Sequence, residues 1–558
     1  MDLLTAFLTF LVRTFAGYLL GAGQVVAARR VVDWALREVP AAADLWALRG
    51  TICLRIAGAL GHRRGTDAVA MLEEAEAAFS RALELRPAQP ELHRERGLTL
   101  LKLAWGLGAR EPSSARPDLL RGAVAEFSQV LEHQPRRAEV LHERAMAHAT
   151  LRLGLPDRDA VQCLDLALAD LDRSLELRPH APEAVFHRAE IAGELARTHR
   201  RAGRRAAEAR CYHRTLDDCE RALQQRPGWA AALLVRSMAA TGLARLGDDP
   251  PRHTDLAIGS AGRVLERDPR NVQAILVRAD ARVTAACHLA AESDARAALV
   301  WRQAVADLES AVDAVGLRGR EEVIAVRAGA RGEWAGTQRR VGALDAARDA
   351  WVRALEDYER AVDDDPADAD RLAGRGRVLA ALAELALLDG RGDEAAERRR
   401  RAFDDFGQAL ALRPADPNLV AARAELLAGP ASSSGEARAA LAELEGVLPA
   451  TPDHEGARLA RRHVLLRLAC VAAPGEERTR WLAAALADCE LALRVRPEDA
   501  GAHYDHARAL FLTGQPKEAY AALEQALGRA PGLRHTARRD PVWAPVAEAE
   551  GFRRLVER

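Results

Sequence analysis

Lysine is almost missing from this 558-residue chain: it occurs at Lys102 and Lys517 alone, and arginine carries nearly all the remaining basic charge. Most lysine chemistry is thereby excluded. Aromatic residues are scarce too, at 4% against 49% hydrophobic residues overall, and with Ala, Leu, Arg and Glu abundant this describes a helix-rich, ordered protein. No charge of one sign dominates: the formal net charge is -1, so no global field draws nucleic acid or an anionic membrane. The seven cysteines form no Cys-x-x-Cys pair and are odd in number. Two of them, Cys219 and Cys489, fall at a repeated apolar position, which predicts free buried thiols in a reducing cytoplasm. No Walker loop, dinucleotide fingerprint, His-Glu-x-x-His pair or nucleophile elbow is present.

What the chain has is a ruler. A proline closes one helix, and nine residues later an arginine opens the next: Pro40 to Arg49, Pro87 to Arg96, Pro135 to Arg144, Pro179 to Arg188, Pro227 to Arg236, Pro269 to Arg278, Pro366 to Arg375, Pro414 to Arg423 and Pro449 to Arg458. A chain of this length exceeds one ordinary core, and a recurring offset selects an array over several unrelated domains.

A second layer of periodicity runs backwards from each closing position. Twelve residues before it stand Ala28, Ala75, Ala123, Ala167, Ala257, Ala304, Ala354, Ala402, Ala437, Ala485 and Ala519, with Thr215 as the exception. Eight before are Phe79, Phe127, Tyr358 and Phe406, or Leu171, Leu308, Leu441 and Leu523, and five before are further alanines such as Ala82, Ala222, Ala361 and Ala409. Steps of four and three put these on one helical face, small where another helix approaches. The pattern resembles the tetratricopeptide repeat (TPR), whose second helix carries Ala-x3-Phe-x2-Ala and then proline. First-helix segments such as Leu45 to Gly50, Leu92 to Gly97 and Val140 to Ala145 fit the same family. The resemblance is to a bacterial-type array with lengthened repeats, and it implies an all-α, right-handed TPR-like superhelical solenoid of about twelve helical hairpins.

Closing positions are mostly 42 to 50 residues apart, against 34 in the common repeat. The joint between units hardly varies, so the surplus lies inside the hairpins. Shared equally, it adds seven residues, roughly two turns, to each helix, which keeps the apolar face nearly in phase. Turns are expected near Gly203, Gly342 and Gly392, and a loop at Glu111 to Ser114. The expected divisions are 1–42, a hydrophobic helix and first short repeat with its turn at Gly23; 43–499, the lengthened array; 500–533, a final short repeat with its turn at Gly514; and 534–558, a closing cap.

The ruler's arginine has a counterpart, an acid nine residues before the next closing position. The pairings Arg96–Glu126, Arg144–Asp170, Arg188–Asp218, Arg278–Asp307, Arg375–Asp405 and Arg458–Asp488 stand as one reading, and independent exposed helix charges as the other. Acids opening the first helices, among them Asp44, Glu91, Glu139, Glu183 and Asp370, form either an acidic rail or complements to the helix dipole. Asp363 to Asp365 lacks the glycine and terminal glutamate of an EF-hand and reads as a solvated turn. Arg200, Arg201, Arg204 and Arg205, with Arg398 to Arg401, interleave with Ala and Glu and read as solvated faces, so no nucleic-acid partner is expected. His503 with His506, or His142 near His148, does not complete a metal site, and no metal, cofactor or catalytic residue is assigned.

In the TPR family the first helices line the concave surface. The resemblance places Arg94, His142, Phe186, Leu234, Met238 and Leu276 there, with Asp280 beside them, as candidates for holding a protein or peptide partner. Packing beneath longer second helices is the competing reading. Binding of chaperone C-terminal tails is not implied, since that clamp uses Lys and Asn and the chain has only Asn271 and Asn418 besides its two lysines. Residues Leu3 to Ala27 are nearly uncharged apart from Arg13. They follow Met1-Asp2 rather than a basic start and run into a recognisable second helix, so export is disfavoured. An internal packing role, a surface for a partner or second copy giving a homo-oligomer, and a shallow membrane contact remain open. The expected protein is a cytoplasmic, non-enzymatic scaffold. The alternative is the regulatory subunit of an effector system whose activity resides in another chain.

Overall fold

The computed structural model describes residues 3–60, 65–108, 117–153, 155–292, 294–315, 319–429, 432–530 and 532–557. Within them are 26 α-helices, one 3-10 helix and no strand. The helices fall into two compact units, residues 1–198 with 213–232, and residues 199–212 with 233–558. The first holds the hairpins α1 (Leu3–Gly21) with α2 (Val25–Glu38), α3 (Ala43–Leu60) with α4 (Gly65–Leu85), α5 (Pro90–Gly108) with α6 (Pro117–His133), and α7 (Ala138–Leu151) with α8 (Asp157–Leu177). Helices α9 (Pro182–Arg201), α10 (Arg205–Gln225) and α11 (Ala230–Leu246) contribute residues to both units, and α11 is followed by α12 (Pro250–Leu265). The second unit continues with α13 (Val272–Ala291) and α14 (Ala297–Ala314), α15 (Arg320–Arg340) and α16 (Leu344–Asp364), and α17 (Ala369–Leu388) and α18 (Gly392–Leu412). It goes on through α19 (Pro417–Ala428) and α20 (Ser434–Val447), α21 (Glu455–Val471) and α22 (Glu476–Val495), and α23 (Ala500–Leu512) and α24 (Pro516–Arg529). Then come α25 (Leu533–Arg539), the 3-10 helix Pro541–Val546 and α26 (Glu550–Glu557).

The surplus length is helical. Second helices α4, α8, α10, α16 and α18 each have 21 residues, whereas α2 and α24 have 14. First helices α9, α13 and α17 have 20 residues against 13 in α23. Equal sharing fails in one hairpin: α7 stops after 14 residues and α8 takes the excess. Pro156 stands at the N-cap of α8, so the chain is already committed to the second helix soon after α7 ends. Turns fall at Gly23, Gly203, Gly342 and Gly514, all at positive φ. The turn expected near Gly392 is centred two residues earlier. Gly390, at φ 76, donates its N–H to Leu387 O at 3.1 Å and closes α17, while Gly392 already opens α18. The loop expected at Glu111 to Ser114 lies outside the described residues.

Seven of the hairpins carry a volume match. A Cβ added to Gly50 would meet the ring of Phe79 at 2.7 Å, one on Gly97 would meet Phe127 at 2.8 Å, and one on Gly376 would meet Phe406 at 3.1 Å. Where the second helix carries the smaller Leu171, Leu308, Leu441 or Leu523, the first helix of the same hairpin carries Ala145, Ala279, Ala424 or Ala507, and all eight are buried. A ring needs glycine opposite it and a leucine accepts alanine, as close packing at fixed helix spacing requires. Tyr358 departs from the rule. Its hairpin has Ala328 at the small position, and the ring lies instead where a Cβ on Gly374 of the next first helix would stand, 2.4 Å away.

All six arginine–acid pairings form, with N···O separations of 2.5 to 2.7 Å. Their aspartates are buried, Asp218, Asp405 and Asp488 almost completely, so these are not independent surface charges. A seventh pair, Arg327 to Asp357 at 2.7 Å, has the same form. A second arginine on the first helix often joins in: Arg282 reaches Asp307, Arg331 reaches Asp357, and Arg461 reaches Asp488. A buried carboxylate tolerates desolvation only with such partners. A second, more exposed row clasps the open end of the hairpins, where Arg86 meets Asp44 at 3.0 Å, Arg137 meets Glu91 at 2.7 Å, Arg178 meets Glu139 at 3.0 Å and Arg226 meets Glu183 at 2.5 Å. The first-turn acids therefore serve hairpin closure as well as the helix dipole.

Candidate functional site on the first helices

In the first unit the candidate positions are tied to one another. Arg94 of α5 donates Nε to Glu143 Oε2 of α7 at 2.8 Å, and its Nη2 reaches the other oxygen. His142 of α7 and His187 of α9 share a hydrogen bond, Nε2 to Nδ1, at 2.7 Å. Burial lowers the pKa of both rings, and the adjacent His142 helps bring His187 down to about 4. The neighbour of His142 is thus His187 in the next repeat. Phe186 is 6% exposed and packs 4.5 Å from the Trp229 ring, over which the Arg226 guanidinium lies at 5.1 Å.

In the second unit Leu234 is 5% exposed, whereas Met238 and Leu276 are half-buried. Further along the same faces two adjoining clefts open. One, of about 240 Å³, is lined by the apolar Val283, Leu308 and Val326 together with Asp280, Glu333 and Arg245. The other, of about 280 Å³, is bounded by Arg245, Thr284, Cys287, His288, Glu333 and Arg340. Arg245 joins them, donating to Asp280 and lying 3.7 Å from Glu333. Burial pulls against the charged guanidinium, but these two carboxylates outweigh it and raise its pKa. Burial likewise raises the pKa of the Cys287 thiol.

Arg245 and Glu333 are functional candidates that reading the family positions alone does not reach. Arg245 lies seven residues, about two turns, beyond Met238, and Cys287 lies seven beyond Asp280. The clefts are thus built on the turns by which the first helices are lengthened. Continuing the groove face by sevens into the surplus segment is the signal that finds Arg245 and Cys287; Glu333 lies off that count.

The arginine run of α18 is paired within the chain. Arg398, Arg399, Arg400 and Arg401 pair with Glu394, Glu436, Glu397 and Glu359. Asp368 caps α17, and Asp364 holds Arg371 at 3.2 Å. Among the described residues no three His, Cys, Asp or Glu side chains gather as a metal-binding group. No described helix is long and apolar enough to cross a membrane.

The repeated hairpin, its Ala-x3-Phe-x2-Ala face and its closing proline acquire a family when compared with known sequences: the tetratricopeptide repeat model matches residues 500–532. The chain is a TPR-type repeat protein. No curated protein matches it. Similar solved structures include the human IFIT1 dimer with PPP-AAAA, 15% identical with a TM-score of 0.39, covering 82% of this chain and 94% of that one. A tetratricopeptide repeat protein from Parabacteroides merdae is 15% identical with a TM-score of 0.34, covering 56% of this chain and 92% of that one. PilW, a type IV pilus biogenesis factor, is 19% identical with a TM-score of 0.29, covering 48% of this chain and 96% of that one. At these scores the likenesses carry no argument about what this TPR chain binds.

Proposed function

We propose that this TPR chain is a non-enzymatic scaffold that holds a protein or peptide partner in the groove of its first helices. The observation that carries the reading is the Arg245 cleft. Asp280 and Glu333, with 45% and 50% of their side chains exposed, line it beside the apolar Val283, Leu308 and Val326. At about 240 Å³ it falls below the roughly 300–1,000 Å³ of small-molecule sites and suits one anchoring side chain of a longer ligand. Met238 and Leu276 supply apolar contact nearby, while Arg94, His142, Phe186 and Leu234 belong to the same row of positions. None of the seven cysteines is in a disulfide, which suits a reducing, cytoplasmic setting.

The test is a peptide array probed with the purified chain, followed by titration of the strongest binders. Glu333→Ala and the double change Met238→Glu, Leu276→Glu are expected to weaken capture by roughly tenfold or more, about 1.4 kcal/mol, with helicity unchanged. Capture that is indifferent to both variants removes the groove assignment.

A further inference from the structure

Helix α1 is apolar on two opposite sides, and the array covers only one of them. Val12, Ala16 and Leu19 are buried against Ala28, Val32 and Ala35 of α2 and against Leu45 and Ile52 of α3. The other side presents Phe7, Phe10, Leu11, Phe15 and Tyr18, exposed by 61%, 64%, 46%, 52% and 72%. At 100° per residue these five span one stripe of the helix. Of the large hydrophobics exposed among the described residues only four are phenylalanines, and three of those are in this stripe. A helix apolar all round is normally a buried helix.

We propose that this stripe is a self-association surface on which the α1 of a second copy of this chain docks about a twofold axis. Four rings about three-fifths exposed, together with Leu11, amount to on the order of 500–600 Å² per copy. That is the upper end for a patch on a monomer, and pairing two such faces approaches the roughly 1,200 Å² at which specific interfaces begin. The stripe itself carries no charge, so two copies meet without like-charge repulsion, while Arg13 stands at its edge 3.7 Å from Asp44 of α3.

The far end of the chain favours head-to-head pairing over head-to-tail. Helix α26 turns Phe552 and Val556 inward onto Trp543 and shows Glu550, Arg553, Arg554 and Glu557 outward, so a head-to-tail contact would set aromatic rings on charges. Pairing like with like buries rings on rings and closes as a dimer. A lipid surface would also accept the rings, but adsorption of such a helix is usually reinforced by a basic flank. The exposed charges of α2 are instead mixed, Arg30 and Arg37 with Glu38.

The deciding experiment is sedimentation velocity on the full chain over roughly a hundredfold concentration range centred on the micromolar affinity such an area supports. Alongside it go Phe10→Glu and Tyr18→Glu, with Phe10→Ser and Tyr18→Ser as uncharged versions should the charged ones unfold, and flotation with phosphatidylcholine–phosphatidylglycerol vesicles. The expected result is a twofold rise in mass with concentration for the wild type, single-chain mass for the variants, no flotation, and cross-links from α1 to α1. Single-chain mass throughout, a dimer that survives the substitutions, cross-links from α1 to α26, or flotation abolished by the substitutions would each overturn the proposal.

Discussion

Both carboxylate oxygens of Asp405 are held by one guanidinium: Arg375 donates through Nε at 2.9 Å and through Nη2 at 2.7 Å. The hydrogen bonds that Arg375 donates to Asp405 raise its pKa against the desolvation that opposes them. Asp405→Ala leaves a largely buried cation without its partner and is expected to cost about 3–5 kcal/mol. In an array whose repeats contact mainly their neighbours the loss is local. Hydrogen exchange should therefore rise in α17 and α18 well before a global melting temperature moves. A double change, Arg375→Met with Asp405→Leu, is expected to cost less than the single one.

The ring-to-glycine lock predicts a compensating pair. Gly97→Ala pushes a methyl group into Phe127 and is expected to destabilise its hairpin by about 1–3 kcal/mol, measured by denaturant unfolding. Phe127→Leu in the same chain recreates the Ala145–Leu171 combination and is expected to recover part of that loss. A double variant no better than the sum of the two singles would show that the lock is not specific.

Much of this is legible in the sequence, and the exceptions have physical reasons. Arg375 and Asp405 could be paired because both are counted from a proline, which fixes their height on the two helices. Arg327 and Asp357 could not, because the sequence has Gly316 where the closing proline would stand and the nine-residue offset is lost. The Gly–Phe and Ala–Leu columns are both visible in the sequence, and only their covariation in volume had to be noticed. Covering of α1 was not legible. An apolar run does not reveal which of its sides the neighbouring helices will take.

Acidification should loosen the first unit. His187 has a folded pKa of about 4 against an ordinary 6.5, so between those values the unfolded chain binds a proton that the folded ring refuses. Stability contributed by the neutral ring is complete above pH 6.5 and is lost as pH falls towards 4, by at most about 3 kcal/mol. Denaturation midpoints at pH 7 and pH 4.5 are expected to differ less in His187→Asn than in the wild type.

Thiol reactivity should divide the cysteines. Cys53, Cys219 and Cys489 are fully buried, and burial raises the pKa of Cys53 and Cys489, which disfavours the reactive thiolate. Alkylation followed by mass spectrometry is expected to leave these three unmodified until denaturant is added.

The matched volumes inside seven of the hairpins also bear on how such a chain can change over generations. Gly50 is fitted to Phe79 and Ala145 to Leu171, so genetic exchange between repeats keeps both halves of a lock only when its breakpoints fall at the prolines. A crossover inside a hairpin would set alanine against phenylalanine, or glycine against leucine, leaving either a clash or a void. For those hairpins the proline joint is where copies could be exchanged with the lock intact, whereas the Tyr358–Gly374 contact crosses its joint and would bind two neighbours into one exchangeable piece.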